Sequence, residues 1–255
     1  MKAFWAIYQR ELRAYFHSPI AYVLLVAFLA LSGYFFFSGV AFYSLASMQA
    51  TQNPMMMQLN LQDMVVRPLL SNMSIIFMLI CPLLTMRLLS EEKKTGTLEL
   101  LLSYPLTDTS VVLGKYLAAC TVFALMALGT WVQMGMLLWL GEPHLPAMLV
   151  SYLGLLLVGA AFLALGLWAS AWTENQIVAA VGGFVGLLLI WVLGWSASVV
   201  GPGLGPVLEA LSIGSHFDGF TQGLVDTKDL AYFALFIGLF LFLTIRTLEA
   251  KRWKA

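Results

Sequence analysis

The side chains able to do chemistry are few and scattered. Gly194, Trp195 and Ser196 form a Gly-x-Ser fragment, which with His216 as base would make the nucleophile of an intramembrane serine protease. The fit is poor, because Ser196 falls near the end of an apolar run and His216 in a loop. His17, His144 and His216 sit on separate segments with no paired-ligand spacing, so no metal centre is expected. Met48, Met55, Met56, Met57 and Met64 offer soft thioethers of the kind that bind Cu(I). Interleaved with Gln52, Asn53, Gln58, Asn60 and Gln62, they suit equally a helix lying on the outer membrane face or on a partner protein. Cys81 and Cys120 lie inside apolar runs and read as small hydrophobes. Gly114-Lys115 lacks the preceding glycine of a phosphate-binding loop and has Tyr116 where Ser or Thr is required. The expectation is a chain with no catalytic residue and no cofactor of its own.

The densest polar chemistry is the stretch 91–105. Glu91, Glu92, Lys93 and Lys94 precede Thr95, Gly96 and Thr97; then come Leu98, Glu99, Leu100, Leu101, Leu102 and, at its end, Pro105. Gly96 supplies a flexible turn, Thr97 is a candidate cap, and Pro105 stops a short helix whose leucines cannot all face water. A helix lying in the lipid interface would bury those leucines, and so would the groove of a partner protein. The flanking charges favour the partner.

The elements that carry these residues are built for lipid. Of 255 residues, 61% are hydrophobic and 10% charged, against about a quarter charged in soluble domains. The 13 basic and 13 acidic residues cancel, which excludes the basic surface that nucleic acid requires. Six apolar runs are long enough to cross a hydrocarbon core, which takes roughly 20 helical residues: 20–43, 69–86, 111–140, 148–172, 177–200 and 230–245. Lys115 is the one Asp, Glu, Lys or Arg within them.

Eleven basic residues, Lys2, Arg10, Arg13, Arg87, Lys93, Lys94, Lys115, Arg246, Lys251, Arg252 and Lys254, fall on one side of these spans, and Arg67 and Lys228 on the other. Basic residues near span ends stay cytoplasmic, so both termini are expected there. In 1–18, Phe4, Ile7, Tyr8, Leu12, Tyr15 and Phe16 recur at helical spacing opposite Lys2, Gln9, Arg10 and Arg13, the pattern of an interfacial amphipathic helix rather than a cleaved signal. In 201–229, Gly201, Pro202, Gly203, Gly205 and Pro206 break the fifth run, and Phe217, Phe220 and Leu224 then suggest a short helix folding back onto the outer membrane surface. The spans lack the buried carboxylates and histidines of ion-coupled carriers or the polar filters of channels, so energy for any uphill movement must enter from outside the membrane.

The stretch 91–105, with its mixed charges, Gly-Thr-Leu-Glu, leucines and proline, resembles the coupling-helix signature of ABC-2-type transporter permeases. Arg10-Glu11-Leu12-Arg13-Ala14-Tyr15-Phe16 before Ser18-Pro19 resembles that family's connecting helix, and Leu113-Gly114-Lys115-Tyr116 its usual start of span 3. His216-Phe217-Asp218-Gly219-Phe220 and Gly223-Leu224-Val225-Asp226 resemble the gliding-motility-type branch. The similarity runs through the whole chain in the expected order.

The resemblance implies an all-α integral membrane protein formed as a single domain, 1–255. Its parts would be six transmembrane helices, the interfacial helix, a cytoplasmic coupling helix and short outer re-entrant helices. It implies location in the bacterial inner membrane, pairing with a second permease copy or paralogue, and two cytoplasmic ABC ATPase subunits that bind ATP and Mg. A membrane-anchored accessory subunit with an outer domain is a further implied partner. Residues 91–105 would dock in the ATPase with Phe4, Ile7, Arg10, Glu11, Arg13 and Tyr15 beside them. His216, Phe217 and Phe220 would serve an outer gate or meet the accessory subunit. A membrane unit that passes ATP-driven motion to an outer partner without moving solute is the alternative.

Overall fold

The computed structural model describes residues 2–50, 60–97, 107–141, 143–201 and 203–252, and among them there is no strand. The helices are α1 (Lys2–His17), α2 (Pro19–Ala50), α3 (Arg67–Lys94), α4 (Asp108–Gly129), α5 (Trp131–Leu140), α6 (Leu145–Trp172), α7 (Gln176–Val200), α8 (Gly205–Leu211), α9 (Ile213–Thr221) and α10 (Thr227–Arg252). A π-helical turn, Gln62–Val66, leads into α3.

Among the described residues six segments are long and apolar enough to cross a membrane, one for each apolar run in the sequence. The run expected as one helix over 111–140 is two, α4 and α5. Thr130 sits at the break: its hydroxyl donates to Ala127 O at 2.6 Å and accepts from the Tyr152 hydroxyl at 2.7 Å, so the side chain competes with the helical ladder. The outer segment, expected to hold one short helix, holds two, α8 and α9, divided at Ser212.

Helices α3, α4 and α6 form the centre, with α2, α7 and α10 outside. About two-thirds of the most apolar stretch of α6 is buried (67%), against 17% in α2 and α10, whose apolar side chains are left for lipid or another subunit. Phe28 stacks on Phe77 and Phe77 meets Phe123 edge to face through the core, with ring centroids 4.2 and 4.5 Å apart. Phe123 reaches so close to α6 that a Cβ on Gly159 would stand 1.9 Å from its ring. Between lipid-immersed helices the hydrophobic effect offers little, so close packing at small residues is what holds the centre together.

α1 begins and ends as its sequence suggests: Ser18 separates it from α2, and Pro19 takes the first helical position of α2, where a missing N–H costs nothing. Its apolar face, however, lies on protein. Ile7 and Tyr15 are buried against the bundle, while Trp5 and Phe16 stay exposed. α1 thus packs along α4, at the bundle end where α3 finishes.

Candidate functional site

At that end, four charged side chains from three helices converge. Lys115, on the second turn of α4, is 1% exposed, and a lysine that deep in an apolar helix must find opposite charge. Its Nζ lies 3.0 Å from Glu11 Oε1 on α1 and 2.9 Å from Glu92 Oε1 on the last turns of α3. Arg10 closes the group from the solvent side, with Nη2 2.6 Å from Glu11 Oε1 and 2.5 Å from Glu92 Oε1. Two cations and two anions cancel, and each carboxylate oxygen used lies within ion-pair distance of both cations. Glu92 Oε2 is enclosed without a hydrogen-bond partner, so Glu92 is held through one oxygen.

The sequence around each residue explains the convergence. Gly114, next to Lys115, lets α1 come close: a Cβ there would stand 3.0 Å from Ile7 Cγ2 and 3.3 Å from the Phe4 carbonyl oxygen. Thr107 caps α4 by accepting from Ser110 N–H at 3.4 Å. Tyr15, a little over one turn beyond Arg10 and Glu11, donates its hydroxyl to Leu84 O at 2.8 Å and lies under the Arg87 guanidinium, 4.6 Å from the ring centre. α1 is therefore fixed to α3 at two heights. Burial pushes the Glu11 carboxyl up, but the charges and hydrogen bonds of Lys115 and Arg10 outweigh it and hold it below its ordinary value. Burial likewise opposes the charge on Arg10, and its bonds to Glu11 and Glu92 overcome that and raise it. Burial raises the Tyr15 phenol, which stays protonated as the donor its bond requires.

Just beyond the cluster, Lys93 donates to Ala171 O in the last turn of α6, and Gly96 ends α3 with φ +70°, the left-handed turn that glycine adopts without strain. Thr95 and Thr97 join hydroxyls at 2.8 Å, with Thr95 Oγ1 also bonding Glu91 O. Glu91, Lys94 and Thr95 are exposed, as is Arg13 on α1. Leu98, Glu99, Leu101, Leu102 and Pro105 lie outside the described residues.

The opposite end has its own polar contacts. Arg67, where α3 begins, donates from Nη2 to both carboxylate oxygens of Asp218 of α9, at 2.7 and 3.0 Å. Gln62 donates to Ser151 Oγ at 3.0 Å and to Thr221 O at 2.9 Å, joining the π turn, α6 and α9. His216 puts Nδ1 2.6 Å from Asp229 Oδ1 and Nε2 3.1 Å from Ala210 O, and stacks on Tyr232 at 4.0 Å. Both ring nitrogens face an oxygen partner.

Phe217 and Phe220 are buried in the bundle, Phe220 against α6, where a Cβ on Gly154 would come within 2.3 Å of its Cβ. Their helical spacing seats α9 inward, and Ser215, His216 and Asp218 are the side chains of α9 left at least partly open. Ser196 gives its hydroxyl to Val192 O at 3.2 Å on its own helix, and His216 is fully engaged elsewhere, so the protease pair is not assembled. Among the described residues no group of His, Cys, Asp and Glu is placed to hold a metal ion. Met55, Met56 and Met57 lie outside the described residues; Met48 is exposed on α2 and Met64 is half-buried in the π turn.

Sequence reasoning named Arg10, Glu11, Glu92 and Lys115 singly and did not join them. The signal was Lys115 itself, the one charge in the six apolar runs, which required a partner. Gln62, Arg67, Ser151 and Asp229 were not singled out as site residues, and no spacing marks them. Residues 5–248 match the family model described as ABC-2 family transporter protein. No curated protein matches the chain.

Proposed function

The chain belongs to the ABC-2 family of transporter proteins, and from that premise we propose that it is the membrane subunit through which a separate cytoplasmic ATPase drives movement across the inner membrane. The α1 end is cytoplasmic. Residues 91–105 are the part the ATPase grips, and α1 lies beside them. The observation that carries this reading is the buried ion cluster: Lys115, Glu11, Glu92 and Arg10 tie the last turns of α3, directly before the gripped segment, to α1 and to the third span. A pull on 91–97 is thereby delivered to α1, α3 and α4 together rather than to one loop.

Two copies, or one copy and a paralogue, with two ATPase subunits complete the transport unit, and the weakly buried faces of α2, α7 and α10 are available to lipid and to the second copy. ATP and Mg bind the partner, not this chain. At the outer end, α8 and α9 cap the bundle, bolted to α3, α6 and α10 through Arg67, Gln62 and His216. A membrane-anchored accessory subunit of the gliding-motility-type branch would meet the outer segments 44–67 and 201–229, at their exposed residues.

The test is purification of the chain with its untagged neighbours, identified by mass, followed by measurement of ATP hydrolysis and cargo movement. Gly96→Pro, which cannot adopt the positive φ, and Glu99→Lys are expected to detach or uncouple the ATPase while the spans remain inserted. A purified complex with no nucleotide-hydrolysing subunit would overturn the reading. Hydrolysis in vesicles without any cargo moved would instead place the chain in a force-transmitting unit acting on an outer partner.

A further inference from the structure

The last turns of α3 carry a second attachment, to α6, and it is made by one hydroxyl. Ser170, 0% exposed near the end of α6, donates to Met86 O at 2.9 Å and accepts the backbone N–H groups of Leu89 and Ser90, each at 3.1 Å. A hydroxyl has one proton to give and two lone pairs to receive with. All three are spent on a single turn of the neighbouring helix.

In a straight α-helix those two N–H groups would point to Thr85 O and Met86 O. A side chain set into that ladder is among the recognised causes of a sharp bend. Two further features prepare the place. Pro82, two turns earlier, has no N–H for Met78 O. Gly166, one turn before Ser170 on the same face of α6, allows the approach, since a Cβ there would stand 2.3 Å from Thr85 Oγ1. The next residue of α6 after Ser170, Ala171, gives its carbonyl to Lys93.

The geometry points to Ser170 as the positioning residue that sets where the gripped segment leaves the membrane: its hydroxyl holds α3 bent at Met86–Ser90 and so fixes the direction of residues 91–97. This rests on the reading of 91–105 as the force-receiving segment. The lever beyond the bend, Leu89 to Lys94, is about 7.5 Å long at 1.5 Å per residue. Releasing a bend of about 20° swings its tip by roughly 2.5 Å. The ion cluster ties the same turns to α1 and α4, so the tip is set by α6 together with the α1–α4 pair.

The experiment places nitroxide labels at Lys94→Cys and Glu174→Cys, both exposed, in a full-length chain with Cys81→Ala and Cys120→Ala, and measures the distance between them by pulsed electron resonance. Ser170→Ala is expected to shift the mean by roughly 2.5 Å and widen the distribution, Ser170→Thr to restore the parent value, and Gly166→Ala to reproduce the shift by forcing the helices apart. With the ATPase bound, Ser170→Ala is expected to keep hydrolysis but lose the distance change on ATP trapping. A Ser170→Ala distance that overlays the parent, or an unaltered response to trapping, overturns the assignment. Failure of the functional reading is separate: the parent chain would then carry no ATPase, while the comparison in the isolated chain would still decide whether Ser170 sets the bend.

Discussion

Replacing Lys115 with methionine keeps the volume and apolar stem of the side chain and removes only its charge. Glu11 and Glu92, 12% and 14% exposed, are then left facing each other with one partly solvated cation, Arg10, between them. The pair can respond in two ways. It can take up a proton, which for a glutamate of ordinary pKa 4.5 costs about 3.4 kcal/mol at pH 7. Or it can separate by releasing α1 from the bundle, at the cost of exposing Ile7 and Tyr15, which are buried in the parent. Removing one partner of a buried ion pair commonly costs about 3–5 kcal/mol, in the same range.

α1 carries its own reporter, because trypsin cuts after Arg10 and Arg13 only when the helix opens. Where opening is faster than cleavage, the cutting rate follows the open population. A loss of about 2–3.4 kcal/mol raises it roughly 30- to 300-fold. Adding Glu92→Gln removes the orphaned anion and leaves the Arg10–Glu11 pair, so the double variant is expected to regain roughly 2 kcal/mol of the loss, a coupling that neither single variant shows. Mass analysis of the released N-terminal peptides reads both. Cleavage of Lys115→Met at the parent rate, or a double variant no better protected than the single one, would refute the claim that this cluster holds α1, α3 and α4 together.

The Glu11 carboxyl is held below its ordinary value, so its contribution is full above about pH 4.5 and is lost as pH falls through the lowered folded value; protection of α1 from acid proteases such as pepsin is expected to fail in that acid window and to be flat from there to neutrality. His216→Ala leaves the Asp229 carboxylate, 7% exposed at its side chain, without its ring hydrogen bond, at a cost of about 1.5–3 kcal/mol. Faster amide exchange across 205–221 checks this, and unchanged exchange would show that α9 is held by Arg67 and Gln62 alone. Gly114→Leu drives a side chain into Ile7 and the Phe4 carbonyl and is expected to displace α1 as Lys115→Met does, read by the same tryptic cut.

The spans were legible because a bilayer demands about 20 apolar residues in a row and nothing else in the chain competes with that signal. The break at Thr130 was not, since the residues on both sides stay apolar and only a hydroxyl paired with Tyr152 marks it. The amphipathic face of α1 was legible as a pattern, but the pattern does not say whether lipid or protein will cover it; Gly114, which admits Ile7, decides that. The cluster was hidden for a plainer reason. Lys115 and Glu11 are 104 positions apart, and spacing speaks only of residues that share an element. Ser170 was equally silent, since a serine in an apolar helix most often bonds its own ladder, as Ser196 does here, and only the meeting of α6 with α3 turns its hydroxyl outward.

The placement of polar and apolar contacts follows from what each can do in lipid. Apolar side chains gain little by leaving lipid for one another, so packing at Gly159 and Gly154 fixes helices by shape and is tolerant of small slides. A polar contact in the same surroundings is costly to break and has few alternative partners, so it fixes a position. Along α3 the ion cluster and the Ser170 bonds sit at one end, the Arg67 bond sits at the other, and shape packing lies between. A displacement applied at 91–97 therefore meets stiff joints at the ends of α3 and a smoother surface along it, which is the mechanical condition for motion at one face to arrive at α9 on the other rather than being absorbed in the middle.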